Sequence, residues 1–332
     1  MSVEKPMVLD IKNLNISFMV DKKKVKTVSD VNFRLHKGDV FGIVGESGSG
    51  KSITSLSIMG LLPGIIEDCE IIFQGKDLLK ASEKEMRKVR GNQISMIFQE
   101  PMTSLNPLFT IGEQLLEAVK MHTKLRKRAA VDLCVSVLKS VGLARAEAMM
   151  KEYPHQLSGG MRQRVMIAMA MICQPEILIA DEPTTALDVT IQSQILSLMH
   201  ELNEKTETSI IFITHDLGVV AEVCNRVIVM YSGQIVEEGD VHTIFKNPQH
   251  PYTKGLLKAV PDLRQKEARL HAIQGNVPKP GTIQNGCYFA PRCDEVIDQC
   301  RQAAPKLLST VIDGHQVRCF ACKQLREGEG NV

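Results

Sequence analysis

Gly45-Glu46-Ser47-Gly48-Ser49-Gly50-Lys51-Ser52 follows the apolar run Val40-Phe41-Gly42-Ile43-Val44 and matches the pattern G-x-x-x-x-G-K-[ST]. The spacing has a chemical logic. Glycines let backbone N–H groups turn inward around phosphate oxygens, Lys51 reaches the β- and γ-phosphates, and the Ser52 hydroxyl ligates Mg²⁺. A helix starting near Lys51 adds the positive end of its dipole. The same residues could form an ordinary Gly-Ser turn. A phosphate loop, however, needs partners downstream, and the chain supplies them in a fixed order.

Ile177-Leu178-Ile179-Ala180-Asp181-Glu182 is a short apolar run ending in two carboxylates. A buried parallel strand delivers acids in this way to a nucleotide at its C-terminal end. Asp181 is expected to hold Mg²⁺ through its water shell, and Glu182 to orient or deprotonate the water that attacks the γ-phosphate. The plain alternative is a pair of acids capping the next helix. Between loop and strand lies Gln156-Leu157-Ser158-Gly159-Gly160-Met161-Arg162-Gln163-Arg164, followed by the apolar stretch Val165 to Cys173. Ser158 is a good N-cap, and two glycines allow an anion to approach the helix start closely.

With Leu157-Ser158-Gly159-Gly160 the chain resembles the ATP-binding cassette (ABC) family, whose signature sequence this is. The resemblance implies a phosphate-loop α/β (RecA-like) core with an antiparallel β subdomain and an inserted α-helical subdomain. It also implies that Ser158, Gly159 and Gly160 meet the γ-phosphate of ATP held by a different subunit. Gln99, after Ile94-Ser95-Met96-Ile97-Phe98, resembles the glutamine loop that touches Mg²⁺ and links the site to membrane subunits. His215 in Ile213-Thr214-His215-Asp216 resembles the switch histidine of the γ-phosphate. Asp188 in Thr185-Ala186-Leu187-Asp188 matches the aspartate that crosses the dimer interface. Phe18 falls where the family stacks an aromatic on adenine, with Val20 and Phe33 as alternatives if the register differs.

Composition bounds these readings. A chain of 332 residues accommodates two domains, a net charge of +2 offers no broad field for nucleic acid, and 44% hydrophobic content suits a packed globule. No targeting segment is visible near Met1, and Val165 to Cys173 is too short an apolar run to cross a bilayer. Transport would therefore need separate membrane-spanning subunits. Lys22, Lys23, Lys24 and Lys26 lie between two strand-like segments and read as a solvated hairpin turn.

Met7 to Val44 alternates apolar and polar residues, as antiparallel strands do. Ser52 to Leu62 reads as a helix, stopped by Pro63-Gly64. Pro101 to Arg164 is rich in helix formers, with Ile111, Leu115, Leu116 and Val119 on one face and Val131 to Leu143 patterned likewise. Strand–helix alternation resumes at Glu176, and a hairpin turn is expected at Ser232-Gly233. The expected division is a nucleotide-binding domain over 1–245, with core 1–98 and 165–245 and helical subdomain 99–164, and an extension over 246–332.

Asn247-Pro248-Gln249-His250-Pro251-Tyr252-Thr253 resembles the motif that opens the extension of ATPases from oligopeptide, dipeptide and nickel importers. Five of the nine cysteines, Cys287, Cys293, Cys300, Cys319 and Cys322, fall beyond it. Clustered thiolates in a reducing compartment suggest zinc or an iron–sulfur cluster, and spacing alone does not choose. The resemblance implies a four-iron four-sulfur ([4Fe-4S]) cluster on Cys287, Cys293, Cys300 and Cys319, with zinc as runner-up and Cys322 spare. It further implies a peripheral ATPase on the cytoplasmic face of the membrane. There it would work in a dimer, by family resemblance with a homologous second ATPase, beneath two permease subunits fed by an extracytoplasmic binding protein. Two non-transport classes share this site. Chromosome or repair ATPases separate its halves with a long coiled coil, and no sustained heptads occur here. Translation factors carry two cassettes in one chain, whereas one phosphate loop and one signature occur here.

Overall fold

The structure is a computed structural model that describes residues 5–99, 104–185, 187–259, 273–283, 285–322 and 324–326. The start of the helical insertion at Pro101, and Ala186 of the loop before Asp188, lie outside the described residues. The chain divides into two compact units: 1–8, 36–39 and 80–213 form one, and 9–35, 40–79 and 214–332 the other.

In the first unit, Ile177–Asp181 runs parallel between Ile94–Ile97 and Ser209–Thr214. All five residues of Ile177–Asp181 are buried, which explains why the strand reads as an apolar run rather than an alternation. The helical insertion is built from Ile111–His122, Lys127–Ser140 and Ala146–Met149. Thr110 and Glu113 close a reciprocal capping box at the start of Ile111–His122. Ile111, Leu115 and Val119 are buried, the stripe expected from their spacing.

In the second unit, Met7–Val20 and Lys23–His36 pair in a five-stranded sheet. Of the basic run only Lys22 lies in the turn, where Asp21 and Lys22 have positive φ; Lys23, Lys24 and Lys26 begin the strand Lys23–His36. The phosphate-loop strand Val40–Val44 runs parallel to Arg226–Tyr231, which turns through Ser232 and Gly233 (φ 45° and 81°) into Gln234–Asp240. Two positive φ values at a two-residue turn suit the twist of the flanking strands. The helix after the loop, Lys51–Ile58, ends before the expected Leu62.

Among the described residues beyond 246 there is little regular structure apart from the helix Pro251–Lys258. It is held by an aromatic core: Tyr231 and Tyr252 lie 4.7 Å apart, Tyr231 and Phe289 5.1 Å, and Tyr252 and Phe289 5.4 Å between ring centroids. A short strand, Gln316–Val317, extends the sheet beside Gln234–Asp240. Glu237, fully buried, accepts from the backbone N–H of Gln249 (2.6 Å), the N–H of His250 (3.0 Å) and the Nε2 of His315 (2.9 Å). One carboxylate thus ties both ends of the extension to a core strand, and its burial is offset by these donors.

Candidate functional site

Phosphate-loop geometry follows from its glycines. Gly45, Gly48 and Gly50 all have positive φ, and a Cβ at Gly45 would lie 2.2 Å from the Met230 carbonyl oxygen. At Gly48 a Cβ meets nothing within 4 Å, so this side of the loop is open for a ligand. Gly50 caps Lys51–Ile58, and Lys51 is buried with its Nζ on the carbonyls of Gly45 (2.7 Å) and Glu46 (3.1 Å). The buried Ser49 hydroxyl has no hydrogen-bond partner among the described residues. An open cradle, a concentrated ammonium charge and an orphaned hydroxyl fit a polyphosphate. Ser47 lies on the same loop, and Ser52 follows Lys51 in the first turn.

In the other unit, Asp181 ends its strand buried and Glu182 follows at φ 48°. Gln99 Nε2 and Thr185 Oγ1 both donate to Glu182 Oε2, at 3.0 and 2.9 Å. The Glu182 N–H donates to the Ile213 carbonyl (2.9 Å). Gln99 and Glu182, chosen separately from sequence, are therefore in direct contact. Ser158 caps Gly159–Met171 by accepting from Met161 N–H (3.3 Å), and Asp188 caps Val189–Thr206 through Ile191 N–H (2.9 Å). Thr185 is the partner of Glu182 that motif reading missed, although it lies within the quoted loop.

His215 is exposed just after its strand, and the adjacent Asp216 caps Leu217–Val223. Phe18 is half-buried on Met7–Val20, and Val20 is exposed near its end. Phe33 stacks on Phe41 at 5.1 Å in the core, which removes it as the adenine platform.

Two families match the chain: "ABC transporter" over residues 28–185 and "Oligopeptide/dipeptide transporter, C-terminal region" over 236–300. The oligopeptide transport ATP-binding protein AppD of Bacillus subtilis is 53% identical over 97% of this chain and 98% of its own length. The chain belongs to the ATP-binding proteins of oligopeptide and dipeptide ABC transporters. Such a protein is the ATP-binding subunit of an importer, an ATPase that powers peptide transport. The dipeptide transport ATP-binding protein DppD of Escherichia coli is 47% identical over 94% of this chain and 95% of its own. A solved dimeric ATP-binding cassette bound to ADP and phosphate shares 27% identity, with a TM-score of 0.64 over 70% of this chain and 98% of that one. Among the described residues no helix is long and apolar enough to cross a membrane.

The cysteines of this ABC ATPase are the expected metal ligands. Among the described residues no group of three or more His, Cys, Asp or Glu is arranged to hold a metal ion. Burial pushes Cys319 up to about 12, with Cys287, Cys293 and Cys300 adding to the rise. Cys293 is pushed up to about 11, chiefly by burial, with Cys287 and Cys300 contributing. Cys322 stands apart, raised mainly by burial, with its Sγ 3.7 Å from Gln249 Oε1.

Proposed function

We propose that this ATPase works as a nucleotide-sandwich dimer with a homologous second ATPase, at the cytoplasmic face of the membrane beneath two permease subunits. An extracytoplasmic binding protein delivers dipeptides or oligopeptides to that complex. The observation that carries the sandwich is the asymmetry of the signature turn. A Cβ at Gly160 would lie 3.0 Å from Ile191 of its own chain, whereas one at Gly159 meets nothing within 4 Å. Ser158 and Gly159 are exposed, so the helix start presents its N–H groups outward, where a partner's γ-phosphate can be received.

ATP is assigned to Gly45, Ser47, Gly48, Ser49, Gly50, Lys51 and Ser52, with Phe18 against adenine. Ser52 and Gln99 would hold Mg²⁺, with Asp181 acting through its water shell, and the ion would supply positive charge at the phosphate oxygens. Glu182, oriented by Gln99 and Thr185, accepts a proton from the attacking water or aligns it. His215 contacts the γ-phosphate, and Asp188 meets the partner across the interface. Purification of the intact membrane complex and identification of its subunits tests this arrangement. Two different ATPases with two permeases are expected. Two copies of this chain would replace the mixed pair, and a complex without permeases would overturn the importer.

For the extension, we propose a four-iron four-sulfur cluster on Cys287, Cys293, Cys300 and Cys319. The donor chemistry fits in kind: four cysteines on separate turns, of which Cys287, Cys293 and Cys319 are raised chiefly by burial, while the Cys322 Sγ lies 3.7 Å from Gln249 Oε1. When bound, such a cluster would tie those turns together, since metal-site binding energy becomes folding energy.

A further inference from the structure

Glu46, the second residue of the phosphate loop, is held by its amide, its carbonyl and its carboxylate. Its N–H donates to the Tyr252 hydroxyl (2.9 Å), and its carbonyl accepts from Lys51 Nζ (3.1 Å). Its carboxylate receives a two-pronged pair from Arg292, Nη1 to Oε2 at 2.7 Å and Nη2 to Oε1 at 3.1 Å. Tyr252 and Arg292 both belong to the extension, and Arg292 lies 246 positions from Glu46 in sequence.

This pair is unlike an ordinary surface salt bridge. The Arg292 side chain is only 4% exposed. Its guanidinium lies over the Tyr231 ring, 5.7 Å from the centroid, and donates to the carbonyls of Gln274 (2.8 Å) and Ile273 (3.3 Å). A planar fork fixed on several sides defines one position for the carboxylate it grips. The loop itself contributes little rigidity, because Gly45, Gly48 and Gly50 sit at positive φ, where glycine is unrestrained.

We propose that Arg292 and Tyr252 are positioning residues of the nucleotide site, through which the C-terminal extension fixes the phosphate loop by holding Glu46. The loop is thereby organised before ATP arrives, and ordering it upon binding costs less. The Lys51 ammonium rests on the carbonyls of Gly45 and Glu46, so displacing Glu46 also displaces the charge meant for the phosphates. Arg292 has a second effect. It neutralises a carboxylate on the loop that receives a polyanion, and without it Glu46 repels the phosphates.

The proposal rests on the loop's being the ATP site, and Lys51→Ala in the full-length chain tests that separately. If Lys51→Ala binds ATP normally, that reading fails before this one is reached. Equilibrium ATP binding is then measured for Arg292→Ala, Arg292→Lys, Glu46→Ala and the Arg292→Ala/Glu46→Ala double variant, each with its unfolding midpoint. Loss of charge-assisted hydrogen bonds predicts about tenfold weaker binding for Arg292→Ala and partial rescue by Arg292→Lys. The double variant should bind no worse than Arg292→Ala, because the unpaired carboxylate is gone. Binding within about twofold of the unsubstituted chain in Arg292→Ala, or deficits that multiply in the double variant, overturns the proposal. Should the Arg292 variants fail to fold, Tyr252→Phe still decides. It removes one hydroxyl from a buried ring, about threefold weaker ATP binding is expected, and unchanged binding overturns.

Discussion

Glu182 at φ 48° adopts a left-handed backbone that costs a residue with a Cβ about 1–2 kcal/mol. The surroundings hold it there: its N–H is on Ile213, and Gln99 and Thr185 converge on one carboxylate oxygen. Strain retained at a polar strand end is characteristic of a group whose direction matters. Replacing Glu182 by Gln keeps the size and the Thr185 contact but removes the base. ATP binding should persist, while turnover in the assembled complex falls by about 100-fold or more. Phosphate release under saturating ATP measures it, and near-normal turnover would remove Glu182 from its role. A loss of binding would point instead to damage of the phosphate cradle around Lys51.

Helix ends decide the next two outcomes. Gly159–Met171 begins at an exposed signature turn, so Ser158→Arg adds bulk and charge on an exposed side of the helix start. ATP affinity of the isolated chain is expected to stay within about twofold, while ATP-driven dimerisation, followed by gel filtration, is abolished. Equal loss of both would place the signature inside its own chain's site. At the start of Pro251–Lys258, His250 Nδ1 accepts from the Tyr252 N–H (3.0 Å), which requires a neutral ring. Burial lowers the His250 pKa to about 4; the charges of Glu237 and Glu295 oppose the shift, and Lys254 and Arg318 reinforce it. A folded pKa below the unfolded value means that the unfolded chain binds more protons. Stability from this group is therefore complete above about pH 6.5 and is lost as pH falls towards 4, by about 3 kcal/mol. His250→Asn keeps a capping acceptor without titrating. Urea unfolding across pH 7 to 4 should show the unsubstituted chain losing that much more than the variant, and parallel profiles would refute the assignment.

The molecule as a whole joins the phosphate loop to a segment that is rich in cysteine, and the cysteines provide its test. Protein purified without oxygen is expected to be brown, with iron and sulfide, and Cys293→Ser to lose the colour and loosen the extension while ATP binding is retained. Colourless protein with one zinc would install the runner-up, and a metal-free stable extension would defeat both. The local structure of the candidate nucleotide site was legible beforehand. The loop at Gly45 to Ser52, the acidic strand end at Asp181-Glu182 and the capped turn at Ser158 are each contiguous, because backbone amides and strand ends present ligands from neighbouring residues. The same holds for the hairpin at Ser232-Gly233, whose positive φ values are a local property. Other relations had no local signal. Glu46 and Arg292 lie 246 positions apart, and Glu237 and His315 lie 78 apart. Nothing in either neighbourhood announces the partner. That Phe33 packs on Phe41 rather than facing a base likewise emerged only on folding. Motifs that grip phosphate are written in consecutive residues because one turn of backbone does the gripping. Buried charges find their partners across the fold, where burial and distance are settled together.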